Sequence, residues 1–145
     1  MKADGFIEIA APPEKLWPFL VKPDLILKWY TLLRDFKYTS KQQAGVGTTF
    51  HFDEQSGVLM KLDFVVDEWV ENRALVFHMT SGNFVKGYEQ RWTLEPTPSG
   101  SRFTLAEDVT MPWGALGRVF GLMVSASSKA HIKELLAQLK VLAEA

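Results

Sequence analysis

Cysteine is absent from this 145-residue sequence. Its absence excludes a disulfide scaffold, thiolate catalysis and Cys-based zinc sites. No stretch approaches about 18 consecutive apolar residues, so no segment reads as a membrane-spanning helix. Charge of one sign is not concentrated anywhere, since 16 Lys and Arg stand against 17 Asp and Glu for a net charge of −1. The densest basic stretch is Lys22, Lys28, Arg34, Lys37 and Lys41. It is interrupted by Asp24 and Asp35 and lacks the basic stripe that nucleic-acid binding requires. The three histidines, His51, His78 and His131, are far apart in sequence, and no metal is expected. Gly45-Val-Gly47 lacks the helix and lysine of a phosphate loop, and no cofactor is expected. Residues 1–10 show no basic region followed by an apolar one, so no secretory signal and a cytoplasmic location are expected.

What is present is aromatic surface. Ten Phe and five Trp help bring the aromatic content to 12%, within 47% apolar residues overall. Aromatics bring large buried area and often line ligand cavities, though a thick core uses them equally well. The length fits one domain over residues 1–145, large enough to bury a core without staples.

Alternation over residues 4–10 predicts a strand. Pro12 and Pro13 end it and open a short helix over 14–21, which Pro18 should kink or shorten. Pro23 and Asp24 start a second short helix through Tyr30. Turn residues then divide the middle of the chain into six strands: 35–43, 48–53, 58–70, 74–80, 84–95 and 101–110. A bulge is expected near Glu68 and Trp69. Tight turns between these strands predict an antiparallel meander. Residues 115–144 then read as one helix of roughly 30 residues.

That helix is asymmetric. Ile132, Leu135, Leu136, Leu139 and Leu142 form an ordinary core stripe. Carried backward, the stripe falls on Ser128, Val124 or Ser125, Gly121 and Gly117, which are mostly small. Three readings stand. The glycines admit a closely packed neighbour, or the small face roofs a cavity into which Phe120, Met123 and Val124 reach, or Gly117 and Gly121 join two helices in a homodimer.

The chain resembles the START-like (SRPBCC) superfamily, and within it the polyketide cyclase/dehydrase and lipid-transport family. The likeness rests on Ala11-Pro-Pro-Glu-Lys-Leu-Trp17 with Leu20 and Trp29, and on Gly45-Val-Gly-Thr-Thr-Phe50. It rests further on Val66-Asp-Glu-Trp-Val-Glu-Asn-Arg73 with Leu75 and Phe77, Trp92-Thr-Leu-Glu-Pro96, and Gly100-Ser-Arg-Phe-Thr-Leu105. The resemblance implies an α+β helix-grip fold, with a curved antiparallel sheet of about seven strands in the order β-α-α-β6-α on a long C-terminal helix. It also implies an apolar ligand cavity. It implies no single chemistry, because members include binders, transporters, cyclases and Hsp90-activator-like proteins.

Period-two alternation assigns the faces of the strands. Met60, Leu62, Phe64 and Val66 share the helix-facing side with Leu75, Phe77 and Met79 and with Phe103, Leu105 and Val109. Lys61, Asp63, His78, Glu89, Arg91 and Arg102 share the solvated side. Two polar residues, Gln90 and Glu107, fall on the inward side, and Tyr88 adds a hydroxyl. A buried carboxylate needs a partner or a proton, so Glu107 orients a ligand or serves as an acid or base; alternatively it reaches water, or a bulge turns Asp108 inward. Ser125, Ser127 and Ser128 near His131 read as small-residue packing, because no orienting acid is evident. Met111 and Trp113 flank a pocket mouth or plug it.

The candidate ligand-lining residues are Phe50, Phe52, Phe64, Phe77, Tyr88, Gln90, Trp92 and Glu107 on the sheet. Trp113, Phe120, Gly121, Met123, Val124 and Ser128 join them from the helix side. The function expected is binding or transport of a small hydrophobic molecule, a lipid, quinone or polyketide-like compound. The alternatives are a cyclase or dehydratase using Glu107, Tyr88 and Gln90, and a protein-interaction module. The partner expected is a small apolar molecule bound by a monomer or homodimer.

Overall fold

A computed structural model describes residues 1–112 and 114–145, with side chains omitted over 115–126. Strand β1 (Lys2–Ile9) leads into helices α1 (Pro13–Val21) and α2 (Pro23–Trp29). Six strands follow: β2 (Leu33–Tyr38), β3 (Thr49–Ser56), β4 (Val58–Val70), β5 (Ala74–Gly82), β6 (Gly87–Thr97) and β7 (Gly100–Thr110). Helix α3 (Gly114–Glu144) ends the chain. One antiparallel sheet runs β1-β7-β6-β5-β4-β3-β2, so the first strand closes the far edge of the meander. This curled sheet gripping a terminal helix is the α+β helix-grip fold expected from the sequence.

The boundaries differ where side chains hold the connections. The sequence places a strand over 35–43, but β2 ends at Tyr38. Beyond it the Gln42 amide donates to the carbonyls of Ala44 and Val46 and to Thr48 Oγ1, which fixes a loop in place of ladder pairing. Strand β3 runs three residues past the expected end at Asp53, to Ser56, and Gly57 turns the chain in the left-handed region at φ +78°. The strand expected from Phe84 begins at Gly87, because Phe84 itself sits at φ +74°. Helix α1 is not cut short by Pro18: it continues to Val21 and closes on a bond from Lys22 N–H to the Pro18 carbonyl at 3.0 Å. The bulge expected near Glu68 lies between Val66 and Glu68, and a second register shift lies between Asp63 and Phe64.

The core sits in the concave face. Trp29, the last residue of α2, is fully buried, and its indole N–H donates to the Phe19 carbonyl at 2.7 Å. Its ring lies 5.2 Å from Trp92 and 5.8 Å from Phe103, so α2 fills the middle of the curl with aromatic surface. The second half of α3 closes one end through Ile132, Leu135, Leu136 and Leu139, all buried. Leu142 is only half-buried, and Ala143 takes the buried position beside it. Strand β1 admits the helix closely because residue 5 is glycine. A Cβ there would stand 2.8 Å from Ile132 Cγ2. Among the described residues no helix is long and apolar enough to cross a membrane.

Candidate functional site

Alternation on three strands places polar groups inside this aromatic core. On β3 the inward series Phe50, Phe52 ends in Glu54. On β6 it reads Tyr88, Gln90, Trp92, Leu94, all buried. On β7 it reads Leu105, Glu107, Val109, with Gln90 opposite Glu107 in the ladder. Tyr30, at the C-cap of α2, adds a second hydroxyl. Three strands separate β3 from β7 in the sheet order. The curl nevertheless brings Glu54 Oε1 and Glu107 Oε2 each to 3.0 Å from the one Tyr88 hydroxyl.

Donor and acceptor chemistry orients the cluster. An indole N–H only donates, and Trp92 Nε1 lies 2.7 Å from Gln90 Oε1. The amide nitrogen of Gln90 must then face the tyrosines, and it donates to Tyr30 at 2.9 Å and Tyr88 at 3.0 Å. Both hydroxyls therefore accept from Gln90 and send their own protons elsewhere. The single Tyr88 proton cannot serve two carboxylates at once. One of the two glutamates must carry a proton of its own.

Burial identifies which one. Glu54 is 5% exposed, and desolvation together with the charge of Glu107 pushes its carboxyl up to about 8. Glu107 is half-buried, and burial raises its carboxyl, while hydrogen bonds from Tyr88 and Ser128 and the charge of His131 oppose that rise. Burial also drives both tyrosines well above their ordinary value. Near neutral pH the protons thus order as Glu54 to Tyr88 to Glu107, with the negative charge on Glu107 and Ser128 donating to it. A cavity of about 20 Å³ opens beside the cluster, bordered by Tyr30, Glu54, Glu107, Ser128, His131 and Leu135. Glu107 also borders an open groove of about 420 Å³ that carries Lys2, Asp4, Arg91 and Lys129.

The structure brings Tyr88, Gln90, Glu107 and Ser128 together, and adds Glu54 and Tyr30, which the sequence reading left out. Glu107 points inward, while Asp108 meets the N-terminal amine at 3.1 Å. The expectation that Ser128 and His131 lack a nearby acid is corrected, because β7 places Glu107 against both. Glu54 was legible in one signal only, the continued alternation Phe50, Phe52, Glu54. The aromatic candidates form a separate layer. Phe50, Phe52, Phe64, Phe77 and Trp92 are at most 2% exposed and pack on one another, with Phe52 4.6 Å from Phe64 and Phe77 5.3 Å from Trp92. Beside them is an apolar cavity of about 10 Å³. Trp113, Phe120, Gly121, Met123 and Val124 lie outside the described residues or side chains. His51 and His78 are on the outer face, bonded to aspartates.

Comparison with known proteins matches this architecture. The family described as polyketide cyclase/dehydrase and lipid transport matches residues 1–144. Uncharacterized proteins of Mycobacterium tuberculosis and Mycobacterium bovis are 26% identical over 98 residues, 68% of this chain and 59% of theirs. The match thus spans less than two thirds of the length of these relatives. The protein TTHA0849 of Thermus thermophilus superposes with a TM-score of 0.83 at 16% identity, covering 99% of this chain and 97% of that one. A START superfamily protein of Mycobacterium smegmatis gives a TM-score of 0.78 at 15% identity over 97% and 98% of the two chains. These structures share the fold, and the match over residues 1–144 shows that the chain belongs to the polyketide cyclase/dehydrase and lipid transport family.

Proposed function

We propose that this chain binds a small, largely apolar molecule, with its polar end held by Glu54, Tyr88 and Glu107. One observation carries the reading: two carboxyl groups sharing one tyrosine hydroxyl inside an aromatic core. Burying such groups costs stability unless they are satisfied, and a core of this size gains nothing from them as packing. The apolar body would lie under the first half of α3, against the wall formed by Phe64, Phe77 and Trp92. Family membership and the START-like fold support hydrophobic ligand binding in the same sense. Purified protein should release a stoichiometric apolar compound on solvent extraction, or else bind Nile red saturably. Absence of both would overturn the reading.

The same geometry favours a second reading, a lyase or cyclase. A protonated Glu54 beside a hydrogen-bonded tyrosine and an ionised Glu107 places an acid and a base within one hydroxyl of each other. Glu107 takes the proton next to a ligand carbonyl, Tyr88 donates a hydrogen bond to the enolate oxygen, and protonated Glu54 gives its proton to the β-hydroxyl, whose C–O bond breaks to release water, so all three groups are used. Turnover of β-hydroxyketones to enones, lost in Glu107→Gln, would establish it. Ligands recovered unchanged after long incubation would exclude it.

A further inference from the structure

Among the described residues the proton order leaves two positions unfilled, and they face the same cavity. The Tyr30 hydroxyl, having accepted from Gln90, finds its nearest described acceptors, Glu54 Oε1 and Tyr88 Oη, only at 3.5 Å. Glu54 Oε2 has its described partner, Tyr88, at 3.4 Å. These contacts lie at the limit of hydrogen bonding, although the residues are 2% and 5% exposed. Both residues border the cavity of about 20 Å³, with Glu107, Ser128 and His131 on its other walls. That volume admits about one water-sized group and no more.

The walls specify the chemistry of that group. It must accept a proton from Tyr30 and donate one to Glu54 Oε2. A ketone oxygen only accepts. An ammonium only donates. A carboxylate only accepts, needs room for two oxygens and adds a second negative charge beside Glu107. A hydroxyl both donates and accepts through a single heavy atom. We infer that this subsite reads a hydroxyl, so that the ligand is an alcohol or phenol in preference to a ketone, amine or acid of the same skeleton. The inference rests on the ligand-binding reading above and specifies the head group.

The test is competition against Nile red by two matched series: decanol, methyl octyl ketone, decylamine and decanoate, and naphthol, acetylnaphthalene, naphthylmethylamine and naphthoate. The hydroxyl member of each series should compete about tenfold or more better than its ketone and carboxylate counterparts, because a site with unmet partners rejects the analogue that cannot meet them. Glu54→Leu, which removes that acceptor, should narrow the ranking. Equal competition by all four members would overturn the inference and mark the cavity as holding a resident water. Strongest competition by the amine would overturn it by showing that the pair acts only as a negative charge. In both cases Nile red still binds and the ligand-binding reading stands. Failure of Nile red to bind, with no apolar compound released on solvent extraction, would remove both together; a released compound without a hydroxyl would overturn the inference alone. The wild-type ranking decides the matter even where Glu54→Leu does not fold.

Discussion

Glu54 Oε1 lies 3.0 Å from the Tyr88 hydroxyl, although β4 and β5 stand between their strands. The contact exists only because the sheet curls, and the burial that comes with it makes the fold sensitive to pH. Desolvation first, and the charge of Glu107 second, hold the Glu54 carboxyl up to about 8 against 4.5 for an unperturbed glutamate. Between those values the folded protein keeps a proton that the unfolded chain releases. Stability from this group is therefore full below the unfolded value and falls as pH rises through the folded one. The slope approaches about 1.4 kcal/mol per pH unit inside the window. Glu54→Gln carries no titrating proton. Urea denaturation between about pH 5 and about pH 9 should show wild type losing stability relative to Glu54→Gln as pH rises. A constant difference across that range would show that Glu54 is ionised in the folded state.

Trp92 sets the orientation of Gln90, and this too can be measured. Replacing Trp92 by Phe leaves Gln90 Oε1 buried without its indole donor. The expected cost is about 1–3 kcal/mol for the orphaned acceptor, with a further loss from the smaller ring. Gln90→Leu removes the acceptor as well, so the double variant should lose less than the sum of the singles. Additivity in a denaturation cycle would mean that the indole packs without directing the amide.

Most of the architecture was legible in the sequence because turns and alternation are local signals. Pro12-Pro13, Gly57 and the residues around Gly100 delimit elements whatever lies across the sheet. Inward parity of Tyr88, Gln90, Trp92 and Glu107 follows from the same local rule. The pairing of Glu54 with Glu107 was not legible, since it depends on sheet curvature, and no residue near either glutamate encodes a contact three strands away. The expected end of this strand at Asp53 left Glu54 outside it, whereas β3 continues to Ser56. Trp29 offered only its apolar character; that it fills the middle of the curl is a property of how α2 docks.

The outer face carries a second titrating group, whose contribution is likewise lost as pH rises. His51 bonds Asp63 through Nδ1 and Asp53 through Nε2, both at 2.8 Å. Partial burial disfavours the charged ring, but the hydrogen bonds and charges of Asp63 and Asp53 outweigh it and raise its pKa above 6.5. The contribution is present below the unfolded value and is lost as pH rises through the folded one. Asp63, lowered chiefly by its bonds from His51 and Ser81, contributes above 3.8 and loses that contribution as pH falls through its own folded value. His51→Gln should therefore cost stability near pH 6 and little near pH 9, by about 0.5–1 kcal/mol because the pairs are partly solvated. Thermal denaturation at the two pH values checks this. An equal loss at both would assign His51 a neutral hydrogen-bonding role.

A close approach of helix to sheet provides the last test. A Cβ on Gly5 would meet Ile132 Cγ2 at 2.8 Å and Leu136 Cδ1 at 3.3 Å. Ile132 is β-branched and 3% exposed, so its γ-methyl cannot swing away. Gly5→Ala should cost about 1–3 kcal/mol by overpacking, even though alanine restricts the unfolded chain more than glycine does. Ile132→Ala alone should cost about 2–5 kcal/mol by leaving a cavity. Combined, the new methyl enters the space the old one left, so the pair should cost clearly less than the sum of its parts. Leu135→Ala, buried on the same helix at 3% exposure, should cost a similar amount and remain additive with Gly5→Ala. Should the Gly5 and Ile132 changes prove additive while Leu135 couples to Gly5 instead, α3 would be rotated about its axis relative to the packing seen here, and Ser128 would no longer face Glu107.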